Sequence, residues 1–255
     1  MSVAATVPYD CPNCNTLKTG KFCSNCGQKE DARYTLHSLL HEVIHSITHA
    51  DKGIFSYAWQ LFYKPGIIAR DLIEGKRKRY FNPFQYLLLI MAAMVILYGY
   101  TNFYEKMSAS TSGMQTDETS KLISQKISDF LGKYQKLFYM ILIPLFALFQ
   151  QWFFKKDKFN YAEHMLGAVV MNGMSINYSI IFAILLYFIP LHPSVYYAVN
   201  LVFGLSVQVF FLKQFYKEKL WITTLKAIGM YIGYILIFSI ITMIIGVIYF
   251  LVTKK

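Results

Sequence analysis

Four cysteines, Cys11, Cys14, Cys23 and Cys26, stand in the order CxxC, eight residues, CxxC within "CPNCNTLKTGKFCSNCGQ". Each pair can occupy a tight turn that aims two thiolates at one ion, and two such turns complete a tetrahedron around Zn2+. Gly27 follows the second pair, where the turn calls for a permissive backbone. With four protein ligands no position is left for water or substrate, so the expected zinc is structural, one per chain. The chain has no other cysteine, which rules out a disulfide framework and suits a reducing compartment.

A second constellation lies in "HSLLHEVIHSITHADKG", residues 37–53, which contains HEVIH. In a zinc peptidase His41 and His45 would be ligands on one helix face and Glu42 the general base. His37 and His49 continue the spacing but sit about 6 Å further along the axis, too far to join. A third ligand would have to come from Asp71, Glu74, Glu163 or His164, and none of these stands in a downstream peptidase motif. The same residues also read as one amphipathic helix over 35–50, with Thr35 as N-cap and Gly53 near its stop. Leu36, Leu39, Leu40, Val43, Ile44 and Ile47 then share one face. The histidines, Ser38, Glu42 and Thr48 share the other. This helix explains the four-residue spacing without any catalytic residue, and it is the favoured reading. His41 and His45 stay an alternative second metal site, and Glu42 an alternative base.

These residues must be held by a chain of 255 residues that is 55% hydrophobic and 17% aromatic, with net charge +11. From residue 84 onward the sequence consists largely of uncharged runs long enough, at roughly 20 residues, to cross a bilayer. The expected architecture is an all-α integral membrane protein of about five transmembrane helices, near 84–104, 136–154, 165–189, 195–212 and 226–251. A zinc ribbon (1–30) and a set of amphipathic, interfacial helices (31–83) precede them. Among the latter, "IFSYAWQLFY" predicts a helix over 54–63. Lys64-Pro65-Gly66 breaks it, and Pro65 opens a third short helix running to Glu74. Both are too short to span and are expected on the membrane surface. Asn82 and Pro83 are a good N-cap and first residue for the first span.

The basic residues set orientation. Lys76, Arg77, Lys78 and Arg79 precede Tyr80 and Phe81, and they serve either topology or anionic lipid, at about 1 kcal/mol per residue near a charged surface. "KKDK" at 155–158 and "KQFYKEK" at 213–219 fall on the same side. "PLHPS" at 190–194 and the balanced loop 105–133 fall on the other, which makes the amino terminus cytoplasmic. The closing Lys254-Lys255 departs from the rule. "MSVAATVPYDCPNC" lacks the basic start and apolar core of a cleavable signal. Positive charge concentrated at membrane boundaries, not on a separate face, argues against nucleic acid as partner. Within the third span Asn172, Ser175 and Asn177 flank Gly173, and Asn200 and Gln208 lie in the fourth. Such residues face another helix or, less often, a solute path.

Three blocks, "CPNC…KFCSNCGQK", "TLHSLLHEVIHSITHADKG" and "KPGIIARDLIEGKRKRYFNPFQYLL", together resemble an uncharacterised bacterial membrane family, domain of unknown function 3667, over residues 11 to about 90. The resemblance implies an inner-membrane protein that begins with a zinc ribbon, and it brings no activity or catalytic residue. The functional expectation is a non-enzymatic adaptor docking an unidentified protein partner through the ribbon. The alternatives are a transporter or transporter accessory subunit, and a membrane metallopeptidase acting through HEVIH.

Overall fold

The computed structural model describes residues 9–29, 33–39, 53–101, 142–155, 158–188 and 193–253. These residues form two short strands, β1 (Tyr9–Asp10) and β2 (Leu17–Lys18), paired antiparallel. They are followed by helices α1 (Ile54–Tyr63), α2 (Pro65–Ile73), α3 (Pro83–Tyr100), α4 (Leu142–Phe153), α5 (Tyr161–Phe188), α6 (Pro193–Tyr216) and α7 (Leu220–Thr253). A further turn of helix covers 36–39.

Four stretches are long and apolar enough to cross a membrane: Pro83–Tyr100, Tyr161–Leu185, Ala198–Tyr216 and Leu220–Ile241. The expected second span, 136–154, lies partly outside the described residues; within them α4 is apolar but shorter. The described count is therefore four rather than five. α5, α6 and α7 also begin before the expected spans, at Tyr161, Pro193 and Leu220, because hydropathy locates the apolar stretch while caps set the helix ends. α5 begins at Tyr161 since Asn160 and Glu163 form a reciprocal cap: Glu163 N donates to Asn160 Oδ1 at 2.9 Å and Asn160 N to Glu163 Oε2 at 2.8 Å. α6 continues to Tyr216 and ends where Lys217 takes a left-handed φ of 55°. α3 starts as its sequence demands, with Asn82 Oδ1 accepting from Phe84 N and Gln85 N.

α1 and α2 match the expected bounds, and Glu74 serves as the C-cap of α2. Each packs through one face against the long helices. α2 buries Pro65, Gly66, Ile68, Ala69, Asp71 and Leu72. It crosses α6 so closely that a Cβ on Gly66 would stand 2.5 Å from Gln214 Cβ and 2.6 Å from Phe215 N. α1 buries Tyr57 and Leu61 and meets the middle of α5, where Tyr178 Oη donates to Phe62 O at 2.8 Å. The reason is compositional: both helices carry enough apolar side chain to cover a protein face on one side. The far side of α1 remains exposed through Phe55, Trp59 and Tyr63, and α2 adds Ile67.

Polar residues of α5 find hydrogen-bond partners within the bundle. Asn172 and Ser175 donate to their own helix, at Ala168 O and Met171 O. Asn177 bridges elements, accepting from Tyr86 Oη of α3 and donating to Ala58 O of α1. On the other flank Phe149 and Phe153 of α4 fill the spaces over Gly233 and Gly229 of α7, where an added Cβ would meet each ring at 2.9 Å. This pairing of i, i+4 aromatics with i, i+4 glycines fixes α4 against α7.

Candidate metal centre and its dock

The cysteine module is two similar turns. In the first, Asn15 N donates to Cys11 O at 2.8 Å and Cys11 N to Thr16 O at 3.0 Å; in the second, Gly27 N donates to Cys23 O and Cys23 N to Gln28 O, both at 2.9 Å. The residue after each CxxC takes positive φ, 58° at Asn15 and 69° at Gly27. Glycine does this freely, and asparagine is among the few side chains that tolerate it. Gly27 was anticipated from sequence. Asn15, which carries the same signal in the first turn, was not.

The two turns bring all four Sγ atoms within 4.8 Å of one another. Cys11 and Cys26 are 3.7 Å apart and Cys14 and Cys23 3.5 Å. Thiolates at about 2.3 Å from a zinc ion in tetrahedral array would be separated by about 3.8 Å, so the donor set fits a metal ion. Hydrogen bonding to the Thr16 hydroxyl and backbone draws the Cys14 thiol down to about 6. Cys26 is pushed up to about 11: the Gln28 backbone favours its thiolate, but burial and the neighbouring Cys14, Cys23 and Cys11 sulfurs outweigh that. Four sulfur donors this close together could hold a metal ion, which would favour the thiolate at each of them.

The module is not free. Gln28, directly after Gly27, donates from Nε2 to Gly75 O and accepts at Oε1 from Lys78 N, and Gly75 faces the Pro12 ring. The receiving bend is built by the end of α2. Gly75 N donates to Leu72 O at 3.2 Å and Lys76 N to Asp71 O at 2.8 Å, with Gly75 at φ 94°, so the helix closes in a Schellman turn. That turn folds Lys76 back onto Asp71 at 2.6 Å and Glu74 at 3.2 Å, while Tyr80 Oη donates to Asp71 at 2.5 Å. Burial would raise the Asp71 carboxyl, but the hydrogen bonds from Lys76 and Tyr80, with the charges of Lys76 and Arg79, hold it below its ordinary value. Arg77 lies over the Tyr34 ring at 3.8 Å. The basic cluster is thus divided: Lys76 and Arg77 are half-buried and engaged, and Lys78 and Arg79 are exposed.

This unit of α1, α2, the bend and most of α3 is where a relationship to known proteins is found. Residues 51–95 match the family described as a protein of unknown function, DUF3667. No curated protein and no solved structure matches the chain. The cysteines precede the DUF3667 segment in sequence, and the Gln28 contacts join them to it in space.

Of the histidine constellation, His41, Glu42, His45 and His49 lie outside the described residues. At its start Thr35 caps the turn 36–39 as expected, with Ser38 N donating to Thr35 Oγ1 at 3.2 Å. Leu39 is buried, but Leu36 is 48% exposed, so it does not share the buried face expected for it. His37 is exposed. Each candidate third ligand already has a structural partner. Asp71 and Glu74 hold Lys76. Glu163 caps α5 and takes Arg33 in a two-point ion pair at 2.5 and 2.7 Å. His164 Nδ1 lies 2.7 Å from Tyr216 Oη.

Sequence reasoning missed Gln28, Arg33, Tyr34 and Asn160. Asn160 Nδ2 donates to Tyr34 O at 3.0 Å, and Tyr34 is 2% exposed beneath Arg77. The Asn-x-x-Glu cap was visible in "NYAE". The other three depend on contacts tens of residues away and left no local signal.

Proposed function

We propose that this protein is a non-enzymatic multi-pass scaffold of the bacterial inner membrane. Cys11, Cys14, Cys23 and Cys26 hold one structural zinc on the cytoplasmic side, and the loaded module docks a protein partner. The observation that carries this reading is the two-ended hold of Gln28 on Gly75 and Lys78. It fixes the module to the DUF3667 segment, as a presented binding surface requires. On the module, Leu17 and Phe22 are 58% and 62% exposed, and two large apolar side chains displayed on so small a unit suit a protein contact. Metallopeptidase activity draws no support from the third-ligand candidates, which are all engaged.

A photo-cross-linking residue at Phe22 in living cells tests the scaffold. The expected result is one discrete adduct with another protein, lost when Cys23→Ser is added. No adduct from either Phe22 or Leu17 would defeat the proposal. A transporter is the second reading. It is favoured by a cavity of about 590 Å³ bounded by Ser175, Tyr178, Ser179, Asn200 and Tyr231. Tyr178 Oη donates to Phe62 O, and Ser179 Oγ to Ser175 O, so those hydroxyls already have acceptors. Solute flux in proteoliposomes decides between the two.

A further inference from the structure

A cavity of about 670 Å³ opens between α4 and α7, far along the chain from the cysteines. Leu145, Leu148 and Trp152 of α4 and Ile237 of α7 form its apolar wall, Lys155 stands at one end, and His164 of α5 also lines it. From Leu145 to Trp152 the wall rises about 10 Å at the helical repeat. Leu148 is 52% exposed and Trp152 63%, so the groove is open along its flank. The aromatic lock of Phe149 and Phe153 on Gly233 and Gly229 holds its two helices together.

The polar end is chemically specific. Lys155 is exposed and has no carboxylate partner among the described residues. His164 is 1% exposed. The Tyr216 hydroxyl donates to Gln150 Oε1 at 3.2 Å, so its contact with His164 is a donation from Nδ1. That tautomer leaves Nε2 as an acceptor. A cation at the rim and a neutral acceptor inside suit one anionic group accompanied by a hydroxyl, above a length of hydrocarbon.

The geometry points to a binding site for one anionic phospholipid, with an acyl chain along Leu145, Leu148 and Ile237 and the phosphate at Lys155. A hydroxylated headgroup such as that of phosphatidylglycerol matches the His164 acceptor. The occupant is a lipid and not a soluble phosphate because the groove is apolar over most of its length and lies beside helices suited to a membrane. A single lysine near a charged headgroup contributes about a fivefold preference.

Native mass spectrometry of the full chain in mild detergent tests this, titrating phosphatidylglycerol against phosphatidylcholine of the same chain length. The wild type is expected to retain one phosphatidylglycerol in preference. Lys155→Gln should cut that preference about fivefold, weakening phosphatidylcholine less because its own choline cation already neutralises the phosphate. Leu148→Trp, at an exposed position that tolerates bulk, should weaken both lipids, with an unchanged melting temperature confirming the fold. Lys78→Gln, on the other basic cluster, should change nothing at this site. Glycerol 3-phosphate at matched ionic strength should not compete. Equal binding of the two lipids, no effect of Lys155→Gln, no effect of Leu148→Trp, or competition by glycerol 3-phosphate would each overturn the assignment.

Discussion

Adding one methyl group at Gly66 tests whether α2 is part of the bundle. A Cβ there would stand 2.5 Å from Gln214 Cβ, 2.6 Å from Phe215 N and 2.7 Å from Phe211 O. Two of these three atoms are backbone, so no side-chain rotation relieves the clash. The helices must separate by about 1 Å to restore ordinary contact, an overpacking cost of roughly 1–3 kcal/mol. Separation also loosens the 3.1 Å hydrogen bond from Gly66 N to Gln214 Oε1, worth about 1 kcal/mol. Set against a gain of up to about 1 kcal/mol from alanine's helix propensity, Gly66→Ala should destabilise by about 2 kcal/mol. For a protein of this size that lowers the melting temperature by roughly 4–8 °C. Gly204→Ala is the matched control: its Cβ meets nothing within 4 Å, and alanine in a helix gains up to about 1 kcal/mol over glycine. Thermal melts of the purified chain in one detergent compare them directly. If Gly66→Ala melts with the wild type, α2 does not cross α6 as described, and the bend that receives the cysteine module loses its support.

Two further outcomes follow from the metal centre and its dock. Cys23→Ser should release the metal, measured as zinc per chain by elemental analysis, and should expose the bend 75–79 to protease, because a module of this size draws most of its folding free energy from its ion. Full zinc occupancy in that variant would refute the four-cysteine site. Asp71 supplies a pH dependence: its pKa is lowered in the folded chain, so its stabilisation is complete above the unfolded value, near pH 4, and drains away as pH falls through the folded value. Melting temperature should thus be insensitive to this group from pH 5 upward and fall more steeply below pH 4 in the wild type than in Asp71→Asn; parallel profiles would exclude the Lys76–Asp71–Tyr80 link as the cause.

Features legible in the sequence were those whose determinants are local. The bounds of α1 follow from Gly53 at one end and Lys64-Pro65-Gly66 at the other, and α3 starts at Pro83 because Asn82 caps it. The cysteine cluster was legible because spacing alone constrains two turns to one ion. What stayed hidden was the partner of each face. Amphipathicity identifies an apolar side but cannot distinguish lipid from protein as its cover, so α1 and α2 read as surface helices. Gly66 read as a breaker, although its value lies in admitting the backbone of α6, some 148 residues away. Glu163 and His164 looked like spare ligands because neither Arg33 nor Tyr216 is near them in sequence.

The division of the basic cluster changes the energetics that its sequence suggests. Four adjacent cations facing an anionic membrane would contribute about 4 kcal/mol, at about 1 kcal/mol each. The structure commits Lys76 to Asp71 and Glu74 and lays Arg77 on Tyr34, leaving Lys78 and Arg79 outward. Two cations in place of four would bring such an attraction nearer to about 2 kcal/mol. The other two charges hold the segment together instead. Lys76 closes the end of α2, and Arg77 covers Tyr34, whose carbonyl accepts from Asn160 at the start of α5. Since Gln28 grips the same bend, the cysteine module, the DUF3667 segment and α5 meet through residues 75–78. A disturbance at the cysteine module is therefore felt first at the exposed cations Lys78 and Arg79 and next at the cap of α5.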